Sequence, residues 1–124
     1  MSARGSCHCH SVRLFLTALP EEVVACDCSL CNRRGMLWAH YAHTEVAVEG
    51  FTEGYEWGDE TISFRHCPKC GCTTHWESRV RTGGSVAVNA RLIDGFSEAG
   101  GASTSTYSFD GRVAELRYLQ GANG

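Results

Sequence analysis

Three cysteine groups carry most of the chemistry this sequence can do. They are Cys7-His8-Cys9-His10, Cys26-Asp27-Cys28-Ser29-Leu30-Cys31 and Cys67-Pro68-Lys69-Cys70-Gly71-Cys72, and together they hold all eight cysteines of the chain. The last group has the form of a zinc knuckle. Two residues between Cys67 and Cys70 let both sulfurs point at one ion, and Gly71 permits the tight turn that follows. A knuckle supplies two ligands, and a tetrahedral zinc takes four. Cys7 and Cys9 can supply the other two if the first strand lies beside the knuckle, which would close a structural site.

The middle group offers three thiolates within six residues. One ion can take Cys26, Cys28 and Cys31 and keep a fourth position for exchange, as catalytic zinc sites do. A water, a side chain or a substrate thiolate can fill that position, and zinc would keep such a thiolate deprotonated at neutral pH. The alternative is a second closed site, with Cys72, His8, His10, His66 or His75 as its fourth ligand. Two zinc ions per chain are expected on either reading. Thiol redox chemistry at Cys67-x-x-Cys70 is a further alternative, but it usually needs a βαβ setting, and none is visible.

Metal is favoured over disulfides by the setting. Residues 1–6 lack the apolar core and cleavage site of a signal peptide, so the expected location is the cytoplasm, where thiols stay reduced. The two thiols of a Cys-x-Cys pair also cannot bond one another without strain. No stretch is long and apolar enough to span a bilayer. A net charge of −3, with no basic run beyond Arg33-Arg34, argues against a nucleic-acid surface. With 124 residues the chain is expected to form one domain, 1–124, with a modest core. Zinc would supply folding free energy that such a core lacks.

The elements that must position these ligands read as mainly β. Val12, Leu14 and Leu16 alternate with Arg13, Phe15 and Thr17. Strands are expected at 22–26, 36–41, 45–49, 61–65 and 106–109, and the longest at 85–93. Turn signals separate them at Glu49-Gly50, Gly83-Gly84, Asp94-Gly95 and Asp110-Gly111. The stretch 100–106 reads as a mobile loop, and 113–119 as either a short helix or a strand. No crossover helix long enough for a βαβ unit is visible, so the sheets are expected to be antiparallel.

Taken together, these residues resemble the glutathione-dependent formaldehyde-activating enzyme family, which includes the centromere protein V-like proteins. The matching residues are Gly5-Ser6-Cys7-His8-Cys9, then Cys26-Asp27-Cys28-Ser29-Leu30-Cys31 with Gly35, then Phe64-Arg65-His66-Cys67-Pro68-Lys69-Cys70-Gly71. Val88 to Gly95 looks like the family's late strand, and Phe109-Asp110-Gly111 like its final turn. The resemblance implies a small zinc-stabilised antiparallel β fold of the Mss4-like type. It implies a structural zinc on Cys7, Cys9, Cys67 and Cys70, and a catalytic-type zinc on Cys26, Cys28 and Cys31. The implied activity is that of a carbon–sulfur lyase acting on a small thiol adduct such as S-(hydroxymethyl)glutathione. Cys72 departs from the family pattern, which commonly has serine or threonine there.

On that reading a small thiol such as glutathione would meet an aldehyde beside the second zinc. Arg33 and Arg34 follow the cluster and can pair with glutathione carboxylates, or can form a solvated surface pair. Trp38, His40, Tyr41 and His43, with Trp57, His75 and Trp76, can line a pocket or simply pack. No general base is assigned. The competing reading is a non-catalytic, zinc-stabilised protein-interaction module. It would show a large exposed apolar patch in place of a concave pocket beside Cys31.

Overall fold

The computed structural model describes residues 2–80 and 84–96, and the backbone of 103–107. In chain order the elements are β1 (Ala3–Ser6), β2 (Arg13–Leu16), β3 (Glu22–Cys26), α1 (Ser29–Arg34), β4 (Leu37–Ala42), β5 (Val46–Glu49), β6 (Glu53–Tyr55), β7 (Ile62–His66), β8 (Thr73–Ser78), β9 (Ser85–Asn89) and β10 (Ser103–Tyr107). Single 3₁₀ turns at His43–Glu45 and Ala90–Leu92 punctuate them. The strands form a three-stranded sheet, β1-β2-β5, and a seven-stranded sheet, β10-β3-β4-β9-β8-β7-β6. Among the described residues no helix is long and apolar enough to cross a membrane.

The period-two pattern decides which faces meet. Ala3, Leu14 and Leu16 of the small sheet pack on Val23, Leu37, Ala39, Tyr41 and Val88 of the large one. Leu14, Leu16, Val23 and Val88 are fully buried there, and the Tyr41 hydroxyl donates to the Ala18 carbonyl at 2.8 Å. β4 contributes to an apolar cluster on each face. Leu37, Ala39 and Tyr41 enter this core, while Trp38 joins a second apolar cluster with Met36, Trp57, Phe64 and Ala87. The seven-stranded sheet therefore packs on its partner with one face and has a separate apolar surface on the other.

Gly5 fixes how the first strand lies. A Cβ at that position would overlap the carbonyl oxygen of Leu92, so only glycine lets β1 approach there. Gly5 bridges Ile93, and the Asp94 amide donates to the Arg4 carbonyl at 2.8 Å.

Several sequence expectations change in the structure. The strand expected at 85–93 ends at Asn89, because the Asn89 side chain accepts the Arg91 amide at 3.1 Å and starts a 3₁₀ turn. The expected loop over 100–106 contains strand residues from Ser103, and β10 pairs in parallel with β3. That parallel pair is the exception to an otherwise antiparallel arrangement. It needs no crossover helix, because the chain from α1 to β9 makes the return. The expected turn at 109–111 and the element at 113–119 lie outside the described residues.

Candidate functional site

The quartet Cys7, Cys9, Cys67 and Cys70 is built by two turns of the same design. In one, the Cys7 amide donates to the Val12 carbonyl at 3.0 Å; in the other, the Cys67 amide donates to the Cys72 carbonyl at 2.9 Å. Each turn needs a left-handed residue, His10 at φ 65° and Gly71 at φ 82°. The turns join β1 to β2 and β7 to β8, so the tips of two hairpins carry the four sulfurs. All four sulfurs lie within 4.8 Å of one another. Cys7–Cys9 is 3.7 Å and Cys9–Cys67 is 3.6 Å. Sulfurs bound tetrahedrally at the zinc–sulfur distance of about 2.3 Å would be about 3.8 Å apart, so this donor set fits the ion. Burial pushes the Cys7 thiol up to about 11, while the backbone amides of Cys72 and Cys9 pull Cys70 down to about 5.

The trio Cys26, Cys28 and Cys31 is built differently. Cys26 ends β3, and Cys28 is the N-cap of α1. The Cys28 sulfur accepts the Cys31 amide at 3.3 Å, so one side chain serves as both helix cap and candidate ligand. One turn later Gly35, at φ 64°, ends the helix and swings the chain into β4. There the Trp38 indole N–H donates to the Cys31 sulfur at 3.3 Å. The three sulfurs again lie within 4.8 Å, and among the described residues no fourth cysteine, histidine or carboxylate joins them.

The three thiols shift one another. Hydrogen bonds from Cys26 and Cys31 pull the Cys28 thiol down to about 3. The resulting thiolate pushes Cys26 up to about 11, and the same neighbours with burial push Cys31 well above the usual thiol range. Cys28 is therefore the thiol of the three that gives up its proton most readily. A divalent cation would displace the remaining protons and complete the site.

Cys72 does not join the trio. It packs with Cys7, Val12 and Cys67 beside the quartet. The histidines weighed as fourth ligands also lie elsewhere. His8 is exposed, His10 Nδ1 is 2.9 Å from Ser6 Oγ, His66 lies 3.5 Å from Glu53, and His75 bonds Thr74 at 2.8 Å.

The two clusters differ most in what lies next to them. Cys26, Cys28 and Cys31 form part of the wall of a cavity of about 390 Å³. The remaining wall comes from the apolar face of the large sheet. Register places His40, Ala87, Trp76 and Phe64 side by side across β4, β9, β8 and β7. Ala87 leaves room above it, and the His40 and Trp76 rings meet edge to face there, 5.9 Å apart. Trp57, from the β6–β7 connection, completes the aromatic lining. Burial lowers the His40 pKa, partly offset by Glu22, so the imidazole is neutral near pH 7.

Of the aromatic and imidazole residues picked out by sequence, Trp38, His40, Trp57 and Trp76 line this cavity. Tyr41 packs between the sheets, His43 opens a 3₁₀ turn, and His75 is buried against Thr74 and Glu77. Val24, Asp59, Ile62 and Phe64 also line the cavity, and none of them is among the pocket candidates that the sequence offers. For Ile62 and Phe64 the signal was present, since they alternate on one strand face. Arg33 and Arg34 do not line it. Arg33 donates to the Ser29 carbonyl at 2.9 Å. Arg34 donates to Thr73 Oγ1 at 3.2 Å and lies over the Tyr55 ring.

Comparison with known proteins agrees with this geometry. A crystal structure of a Rhodobacter sphaeroides protein superposes with a TM-score of 0.69 at 27% identity, covering 82% of this chain and 99% of that one. No curated protein matches the chain. The family model described as glutathione-dependent formaldehyde-activating enzyme matches residues 2–108, a span that includes both cysteine clusters and every described residue of the cavity wall. The chain belongs to the glutathione-dependent formaldehyde-activating enzyme family.

Proposed function

We propose that this chain is a single zinc-stabilised domain of the Mss4-like type that makes or breaks a carbon–sulfur bond between a small thiol and an aldehyde carbon. Cys7, Cys9, Cys67 and Cys70 would hold a structural zinc, and Cys26, Cys28 and Cys31 a second one at the reaction site. The adduct of glutathione with formaldehyde, S-(hydroxymethyl)glutathione, is the prototype of such a substrate. One observation carries the proposal: the three-sulfur cluster forms part of a concave cavity wall, whereas the four-sulfur cluster lies between two hairpin tips.

Zinc bound by three thiolates is a weak Lewis acid for water but stabilises a further thiolate at neutral pH. The chain's own residues do the rest. The aromatic wall excludes water from the reacting atoms, and the Trp38 N–H fixes Cys31. In the synthetic direction the thiol sulfur adds to the carbonyl carbon. The carbon–sulfur bond forms as the carbonyl π bond opens, and the thiol proton ends on the new hydroxyl oxygen. The lyase direction is the reverse, with no net oxidation. Neutral His40 can hold that proton in transit. Asp59 is less suited, because its Oδ1 already accepts the Thr61 amide and hydroxyl.

The interaction-module reading asks for a broad apolar surface. Among the described residues the large exposed apolar side chains are Leu19, Phe51, Tyr55 and Val80, which fall on separate segments. The cavity beside Cys31 favours a small ligand instead. The test is exchange spectroscopy of labelled formaldehyde with glutathione, 2-mercaptoethanol and 2-phenylethanethiol, using zinc-loaded protein. Acceleration of adduct exchange by at least tenfold with one of these thiols, lost in Cys31→Ala, supports the proposal. No acceleration with any of them overturns it.

A further inference from the structure

The cavity wall also bears on which thiol or aldehyde it takes. Glutathione carries two carboxylates and an ammonium group, and a site built for it would present cations or a dense set of donors. The described wall presents neither. It contains Val24, Ile62, Phe64 and all three tryptophans of the chain, and it has no arginine or lysine. Its non-cysteine ionisable groups are His40 and Asp59. With zinc bound, three thiolates would leave the site with one net negative charge, to which Asp59 adds, and an unpaired carboxylate against the indole rings would lose its hydration without compensation. The adjacent arginines are committed elsewhere. Arg34 lines a different, more polar cavity with His66, Cys72, Thr73 and Asn89, while Arg33 folds back on Ser29.

We infer that the cavity beside Cys26, Cys28 and Cys31 selects an uncharged, ring-sized apolar group, so that its substrate is an aryl or branched-alkyl thiol adduct and not the dianionic adduct of glutathione. This rests on the thiol-handling reading for its chemistry and on the wall for its selectivity. A volume of about 390 Å³ accommodates a benzene ring with a short alkyl arm. Edge and face contacts with Trp38, Trp57, Phe64 and Trp76 would reward an aromatic ligand beyond simple area burial.

Because every tryptophan lines the cavity, intrinsic fluorescence reports on this site. The experiment titrates the zinc-loaded chain with 2-phenylethanethiol, 2-phenylethanol and glutathione, reading tryptophan emission. Binding of 2-phenylethanethiol at least tenfold tighter than glutathione supports the inference. The variant Ile62→Lys, which adds a cation to the wall, should narrow or reverse that ratio. Glutathione binding as tightly as 2-phenylethanethiol in the native chain overturns the inference and leaves the thiol-handling reading intact. If 2-phenylethanol binds as tightly as its thiol analogue, the apolar selectivity stands and the thiol-handling reading falls. Failure of both phenyl compounds to bind overturns the inference.

Discussion

The two cysteine clusters use the same donor atom in opposite surroundings. In the quartet, Cys7 and Cys67 are almost completely buried between hairpin tips, and their own turns tie them with backbone hydrogen bonds. In the trio, a strand end, a helix cap and a helix turn bring three sulfurs to the wall of a cavity. The quartet joins two hairpins that share no sheet. The trio borders a cavity whose other walls the large sheet has already set. On the proposed function, a metal in the first place would be a fold element and in the second a reagent the fold displays.

The largest expected effect of breaking this contrast is in the quartet. Cys67→Ser removes a fully buried sulfur that the proposed function makes a zinc ligand. Structural zinc binds with an apparent free energy of order 10 kcal/mol, comparable with the whole stability of a small domain, about 5–15 kcal/mol. The variant should lose the cooperative thermal transition seen by circular dichroism, along with its bound metal. A folded variant retaining two zinc ions would contradict the assignment.

A smaller effect is expected in the sheet beneath two cavity-wall residues, His40 and Trp76. Ala87 is fully buried between His40 and Trp76 in the sheet register. Ala87→Leu should cost about 1–3 kcal/mol from overpacking and weaken 2-phenylethanethiol binding at least tenfold. Metal content should stay the same, and urea denaturation with fluorescence titration would check both expectations.

The smallest effect is a pH dependence that belongs to neither cluster. Burial lowers the His75 pKa; Glu77 opposes the shift and Arg65 adds to it. The unfolded chain therefore takes up this proton near its ordinary value of 6.5 while the native chain resists. Stability is full above that pH and declines below it, toward the lower native value, by at most about 1.4 kcal/mol per pH unit for one proton. His75→Gln should flatten this part of the stability–pH curve, measured by urea unfolding at saturating zinc.

How much of this was legible in the sequence varies with the element. The strand at Glu22–Cys26 reads directly, because Val23 and Val24 suit a pleated, partly buried position. The quartet was legible because the Cys67–Cys70 spacing announces a tight turn that brings two sulfurs together. Strand β8 was hidden, because Thr73, Thr74 and His75 are polar yet buried, and their partners come from distant strands. Helix α1 has six residues, too few for a helical period to show. Its signals were the cap side chain at Cys28 and the glycine at 35. The place of Cys72 beside the quartet and the turning away of Arg33 and Arg34 from the cavity are tertiary facts that spacing does not encode.

The most direct test of the contrast is metal content and thermal unfolding of Cys28→Ser. Serine can still cap α1, so the change should cost no more than about 1–2 kcal/mol at the helix. One zinc per chain, a retained cooperative transition and loss of 2-phenylethanethiol binding are expected. Two zinc ions retained, or collapse of the fold with loss of both, would contradict a division between a structural quartet and a functional trio.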